Sequence, residues 1–598
     1  MRIDLWIHPA AVLLAGAVLL PLFRGRMRKT FLLLVPLAAL AAVVALQDGI
    51  HGSVGFLEWE MTFGRVDALS RVFAFIMALM GCIGTLFALQ VRNNVEHVAA
   101  WTYVAGSLGV ILAGDYLALF LFWELMAFSS VFLVWARKTP ASLGAGFRYL
   151  LIHGLGGILL LTGIVVHQQA TGGNFTFVQM DVTRLGGGGW LILIGFLLNA
   201  AAPPLHAWMP DAYGEGTATG SVIMSAFTTK TAVYALIRAF TGLPLLLPLG
   251  VFMVLFGVVY AMLQNDARRL LAYHIISQVG YMVAGIGIGT GLAVSGACAH
   301  AFVNVLYKSL LFMGTGSVLH MTGKSTFSEL GGLYRKMPRT LLYTVIGGLS
   351  ISAFPLFAGF VTKGMVVTSA FDEHFLFYAF LLSLASAGTF LSTTLKLTYL
   401  TWFGASRCSE ETLEKAGDPP LNMEAAMALT AFLCILVGCY YPILYKMLPY
   451  PFIYNPYSAY HLSETFQFMF FTLVGFFVML PMFAPKPYLS LDCDWFYRVG
   501  TKYLLRFLNF CFSPKTGALD TEENHPPEEA IDRLLDYPSN FFRKTMLMAS
   551  FLTTGFMPSL ANVRGDPRSW LRNAAFPVGL SVFMAVFFLG IMSVLFFL

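Results

Sequence analysis

Ionisable side chains stand in stretches of this chain that otherwise read as hydrocarbon. Glu124 lies in LALFLFWELMAFSS, Lys230 in MSAFTTKTAVYALIR, His300 and Lys308 in HAFVNVLYKSLLFMGTGSVLH, and Lys363 in FPLFAGFVTKG. A charge at the bilayer centre costs about 2.5–3.5 kcal/mol on insertion scales, so groups kept there mark ion or proton paths, or pair with one another. Glu124 has no basic residue within a helical turn. It either keeps its proton, for packing or for relay, or meets a cation from another helix. A lysine in such surroundings can exchange its proton near neutral pH when an acid approaches or withdraws. Lys230 could instead snorkel to the interface, a role that suits Arg238, nearer the helix end. His300, Asn304 and Lys308 fall at i, i+4 and i+8, so they form one polar stripe on a helix. His274 and Gln278 form a second i, i+4 pair, which either bridges stripes or satisfies itself. Lys363 follows Pro355 and Gly359, and either ends a proton path or caps freed carbonyls. Arg148 and Lys396, near expected helix ends, and His153, which suits packing, are weaker candidates.

Two interruptions must position these groups. The first is Asn199–Lys230, NAAAPPLHAWMPDAYGEGTATGSVIMSAFTTK, with Pro203, Pro204, His206, Asp211 and Glu215. The second is Ser350–Gly364, SISAFPLFAGFVTKG. Proline removes a backbone donor and blocks the helix bond behind it. In hydrocarbon such a break persists only where protein or water covers the freed groups. Paired broken helices in two halves of a chain point to a transporter's working site.

The rest of the chain is lipid-compatible. Its 598 residues have mean hydropathy +0.73, with 11% charged and 15% aromatic side chains. Soluble proteins are about a quarter charged, so this is a polytopic membrane protein. The net charge of +6 needs no nucleic acid, because basic cytoplasmic loops give the same balance. The seven cysteines form no CxxC and no iron–sulfur or zinc spacing, so no cofactor, metal or redox centre is expected. The N-terminal MRIDLWIHPAAVLLAGAVLLPLF lacks a convincing cleavage site and reads as a retained span.

A spanning helix needs about 20 mostly apolar residues. By that measure about sixteen spans are expected, the last near residue 574, in an all-α bundle. Arg24–Lys29, Arg137-Lys138, Arg268-Arg269 and Lys324–Arg339 then fall on one side, the cytoplasm by the positive-inside rule. Asp48, Glu58, Glu60, Asp181, Asp372 and Glu373 fall on the other, and both termini lie outside. The region 484–573 changes character, with LSLDCDWFYRVG and the polar TEENHPPEEA, and reads as a linker or a docking arm.

These motifs are similar to a known family. FWELM, PPLHAWMPDA, TTKTAVYALIR, RRLLAYHIISQVGYM, HAFVNVLYKSLLFMGTGSVLH and FPLFAGFVTKG, in this order between about Tyr103 and Phe403, resemble the antiporter-like subunits of complex I, Mrp cation/proton antiporters and membrane hydrogenases. The wording is nearest the Mrp D-like branch. The resemblance implies two inverted five-helix repeats, each with a broken helix, over 98–240 and 241–403. Helices over 1–97 and 404–483 would flank them, with a cytoplasmic linker or surface helix at 484–573 and a final span at 574–598. It implies that Glu124 modulates a lysine partner, that Lys230 connects the halves, that His300 and Lys308 continue the axis, and that Lys363 ends it. Asn199, His206, His274, Gln278 and Asn304 would support the path. One position departs: the family lysine five residues before the proline of PLHxW is Asn199 here. Lys230 or His206 would then substitute for it, or this half conducts differently.

The expected function is proton translocation within a multi-subunit complex of the plasma or inner membrane, most simply Mrp-type Na+/H+ antiport. The rivals are a proton-pumping module of a redox-driven complex and an energising subunit for inorganic-carbon uptake. Expected partners are other membrane subunits, antiporter-like paralogues included, with protons and Na+ as the carried ions. A quinone-site or scaffold protein is the non-transport alternative.

Overall fold

The computed structural model describes residues 6–56 and 59–483 and, beyond them, Pro485, Asp492, Cys493, Trp495 and Tyr503. The chain divides into two units, Met1–Trp495 and Phe496–Leu598. All elements below belong to the first. Nearly all of the expected linker, 484–573, and all of the expected last span, 574–598, lie outside the described residues.

Helices α1 (Pro9–Leu19) and α2 (Gly25–Val44) lead to strands β1 (Gly49–Phe56) and β2 (Trp59–Val66). Helices α3 (Ala68–Phe87), α4 (Asn94–Leu112), α5 (Tyr116–Trp135) and α6 (Pro140–Ala170) follow. Then α7 (Gly187–Asn199) breaks and resumes as α8 (Trp208–Glu215), and α9 (Ala218–Ala226) runs into α10 (Thr228–Phe240). Next come α11 (Leu246–Leu263), α12 (Ala267–Ile288) and α13 (Gly291–Thr322). A second interrupted pair is α14 (Pro338–Ile351) and α15 (Ala358–Asp372). Helix α16 (Leu376–Thr389) continues in wider i→i+5 turns through Phe390–Leu397. Helices α17 (Glu410–Lys415), α18 (Leu421–Cys439), α19 (Pro442–Tyr445) and α20 (Ala459–Met479) close the series.

Among the described residues, 12 helical stretches are long and apolar enough to cross a membrane, and Pro9–Leu22 and Gly187–Asn199 are shorter apolar helices. The hairpin is an addition to the expected all-helical bundle. Its strands pair antiparallel, Gly49 with Val66 and Phe56 with Trp59. It lies over the start of α5, where the Thr62 N–H donates to the Asp115 carboxylate and the Gly114 N–H donates to Thr62 O at 2.9 Å. Strands of eight residues escape a search for runs of about 20.

The two helix breaks are built alike. At the first, Ala201 takes a left-handed φ of +56°, the Ala201 N–H returns to Leu198 O and the Ala202 N–H to Leu197 O. At the second, Ala353 takes φ +60°, the Ala353 N–H returns to Ser350 O and the Phe354 N–H to Leu349 O. These bonds satisfy carbonyls in the last turns of α7 and α14, and the prolines that follow prevent the helices from continuing. The peptide between Pro203 and Pro204 is cis. Two helices, α5 and α12, also start on an aspartate bridged to a later threonine: Asp115 with Thr176, and Asp266 with Thr326. Helix α13 runs through the centre, packed on α3, α9, α12, α14, α15 and α18, and nearly all of it is buried.

Candidate ion path through the buried core

The polar residues of α12, α13 and α15 meet in the interior. His300, Asn304 and Lys308 face inward on α13 and are fully buried. His300 Nδ1 lies 3.1 Å from Thr362 Oγ1, and its Nε2 lies 3.3 Å from Gln278 Oε1. The Tyr307 hydroxyl donates to the same Gln278 oxygen at 3.3 Å and accepts from Asn304 Nδ2 at 2.9 Å. Gln278 thus joins α12 to the α13 stripe and does not pair with His274. His274 Nε2 instead lies 2.6 Å from Ser392 Oγ, in the wide-turned part of the helix after α16.

Each candidate lysine ends on a backbone carbonyl. Lys230 Nζ donates to Ser225 O at 2.7 Å, across the irregular Phe227 between α9 and α10. Lys308 Nζ donates to Leu271 O at 3.1 Å. Lys363 Nζ donates to Ile351 O, the last residue of α14, at 3.0 Å, and to Ser386 Oγ at 3.3 Å. It also stands 4.9 Å from the centre of the Tyr281 ring. Lys230 and Lys308 are 0% exposed and Lys363 3%, so none of them snorkels to a surface. None is in an ion pair among the described residues. Lys308 lies within electrostatic range of both Lys230 and Lys363. Lys396, weak by sequence, is also buried and donates to Met262 O and Gln264 O at 2.5 and 2.8 Å.

Around Glu124 the arrangement is sparser. Its carboxylate lies over Gly157 of α6, where an added Cβ would come 2.1 Å from Oε1. Neither oxygen has a hydrogen-bond partner among the described residues. One turn earlier on α6, His153 is buried, stacked on Tyr149 at 3.9 Å and edge-on to Trp208 at 4.5 Å. Trp208 Nε1 donates to Leu198 O, next to Asn199. Asn199 is buried with both side-chain polar atoms unpartnered among the described residues. The structure therefore does not hydrogen-bond Glu124 to Lys230, Asn199 or His206. His206 turns elsewhere: its Nε2 is 3.0 Å from Asp492 Oδ1.

Several charges that looked available are committed to ion pairs. Arg238 does not snorkel. Its side chain is 5% exposed and forms a two-pronged pair with Asp67, at 2.8 and 2.9 Å, while Nε donates to the Tyr234 hydroxyl. Burial opposes ionisation of Asp67, but Arg238 outweighs it and holds the carboxyl at about 2. Arg148 forks onto Asp211 at 2.6 and 3.0 Å, and Arg137 reaches Glu215 at 3.2 Å. Arg268 is fully buried and donates to Gly214 O, Gly216 O and Thr217 O, fastening the turn between α8 and α9. Partners that lie 63 to 171 residues apart, as Arg148–Asp211 and Arg238–Asp67 do, leave no local spacing to read.

A cavity of about 540 Å³ opens beside Lys363. It is lined by Ser386, Thr368, Tyr454, His461 and Glu464 and reaches Asp372, an exposed residue at the end of α15. Two of these, His461 and Glu464, come from α20, beyond the stretch that carries the motifs.

A helical membrane bundle with three lysines buried on backbone carbonyls, two of them at helix irregularities, defines a polytopic protein built around an internal polar axis. The chain belongs to the family described as NADH:quinone oxidoreductase/Mrp antiporter, TM, which it matches over residues 113–390. It is 32% identical over 369 residues to an uncharacterized protein of Methanocaldococcus jannaschii, covering 59% of this chain and 76% of that one. It is 29% identical over 402 residues to a Na(+)/H(+) antiporter subunit of Alkalihalophilus pseudofirmus, covering 63% of this chain and 81% of that one. Its fold resembles a chain of the membrane-bound sulfane sulfur reductase, an archaeal respiratory membrane complex, with TM-score 0.65 and 23% identity, over 77% of this chain and 96% of that one.

Proposed function

We propose that this chain carries protons across the membrane as one subunit of a multi-subunit complex, in Mrp-type Na+/H+ antiport. The proton route runs through Glu124, Lys230, Lys308 with His300, and Lys363, with Gln278, Asn304 and His274 as its polar lining. One observation carries this reading: three lysine amines are buried with no counter-ion among the described residues, each held by neutral atoms. An uncompensated buried charge costs several kcal/mol, and an apolar residue of like volume would be more stable there. Amines retained at that cost are suited to exchanging protons, and a charge on one raises the cost of a charge on its neighbour. The cavity beside Lys363 supports proton release at that end, toward Asp372.

The similar breaks at Ala201 and Ala353 support reading 98–240 and 241–403 as two inverted five-helix repeats. The basic loop clusters face the cytoplasm and both termini face outward, in the plasma or inner membrane. Moving each charge against 100 mV takes about 2.3 kcal/mol, which an opposing Na+ gradient supplies. The likeness to a respiratory complex supports a second reading, in which a partner's redox chemistry supplies it.

The test is reconstitution of the assembled complex in vesicles, with pH-sensitive dye inside. Lys230→Ala and Lys363→Ala should each abolish ion-coupled proton movement while the subunits still co-purify. Unchanged proton movement in both would leave the chain a scaffold. Drive by a Na+ gradient alone selects antiport, and drive only by an electron donor selects the redox module.

A further inference from the structure

Two residues beyond α20 lie at the first helix break. Asp492 and Cys493 belong to the same unit as the bundle and lie against His206, 286 positions earlier in the case of Asp492. His206 Nε2 is 3.0 Å from Asp492 Oδ1 and 3.1 Å from Oδ2. The ligand atoms of His206, Asp492 and Cys493 all lie within 4.8 Å of one another. The imidazole is fully buried and the carboxylate 4% exposed. This is one nitrogen, one oxygen and one sulfur donor, brought together by tertiary packing and invisible as a sequence spacing.

The surroundings are those of a built site. The Tyr273 hydroxyl and the Cys493 backbone N–H both donate to Asp492, the second at 2.6 Å. Such outer hydrogen bonds orient a ligating carboxylate. Phe256, Tyr260 and Tyr273 form an aromatic wall, with His206 edge-on to Phe256 at 4.6 Å. His206 Nδ1 has no partner among the described residues, so the ring directs its one polar contact into the cluster.

We infer that His206, Asp492 and Cys493 bind a divalent cation of the zinc class. Imidazole with thiolate favours Zn2+ over Mg2+ or Ca2+, which take oxygen ligands. Three protein ligands leave a fourth tetrahedral position for water. The ion would fasten Asp492 and Cys493 to the turn between α7 and α8. Its occupancy would thus set how firmly the first break is held. The inference uses none of the lysines, so it stands or falls separately from the proton route.

The test uses the full chain in its purified complex. It is stripped with a chelator, reloaded with Zn2+ or Co2+, and assayed for bound metal by mass spectrometry and for the cobalt spectrum by absorption. The expected result is about one tightly held ion per chain in excess of the Cys493→Ser, Asp492→Asn double variant, as the ligand set requires. Each single variant should weaken Zn2+ binding at least about tenfold, the lower end of the loss seen even for outer-shell partners. Cys493→Ser should also remove the thiolate-to-cobalt charge-transfer band. Equal metal content in wild type and double variant overturns the inference. So does a wild-type cobalt spectrum without the thiolate band, a readout that needs no variant to fold.

Discussion

The position of Glu124 depends on a missing methyl group. Gly157 leaves room for its carboxylate, and a Cβ there would lie 2.1 Å from Oε1 and 2.8 Å from Cδ. The clash is with the far end of a flexible side chain, so Gly157→Ala should move the carboxylate and spare the backbone. That makes it a probe of position at unchanged chemistry. A displacement of about 1 Å in a working geometry costs on the order of 10²-fold. Gly157→Ala should therefore depress proton transport as much as Glu124→Gln does, with normal assembly on size exclusion. Full transport in Gly157→Ala would remove Glu124 from the route. The lysines show how residue-scale reading divides. Their burial was legible from LYKSLL and TTKTAV, because no long apolar helix hides a lysine by chance. Their partners were not, because a freed carbonyl such as Ser225 O is a property of backbone geometry and leaves no mark on residue type.

At the scale of elements, the second break is held by contact between α14 and α15. A Cβ on Gly359 would fall 1.8 Å from Ser350 O. Here the obstacle is backbone, which cannot swing aside, so Gly359→Ala should destabilise the break by about 1–3 kcal/mol or more, the range for overpacking. Reduced accumulation in the membrane and a lower Tm in detergent would register it; wild-type Tm would mean that the two helices do not meet this closely. Asp67 ties the start of α3 to the end of α10 through Arg238 and also caps α3 at the Ser70 N–H. Its folded carboxyl, held at about 2, lies below the ordinary aspartate value, so ionised Asp67 stabilises the fold. That contribution is complete above about pH 4 and fades as pH falls toward 2. Asp67→Asn should lower Tm at pH 7 and flatten its fall between about pH 4 and 2; an identical pH profile in both proteins would rule the pair out as a support. The breaks themselves were legible from PP and FPLF, since proline's missing donor ends a helix wherever it stands. The hairpin was not, because GIHGSVGF carries neither a long apolar run nor a steady alternation of apolar and polar residues.

Across the whole molecule, the order of apolar runs gave the helical bundle directly, and the family motifs gave its centre. What remained hidden was long-range: Arg238 meeting Asp67 and Asp492 meeting His206 depend on how helices far apart in the chain come to rest. The same packing decides whether the buried lysines act as one path. Lys308 sits on α13, the helix that touches both α9 and α15, and it lies within electrostatic range of Lys230 and Lys363. If protons cross by one route through all three, removing any lysine interrupts everything, and removing a second adds little. Residues that act as a unit are grossly non-additive in this way. If the lysines instead serve separate parallel routes, the losses add. Lys230→Ala, Lys363→Ala and the double variant should therefore show the same residual proton flux in vesicles, within about twofold, where parallel routes would leave each single variant the other route's flux and the double variant neither. Lys308→Met, which keeps the length of the side chain and removes its charge, should give that same residual flux.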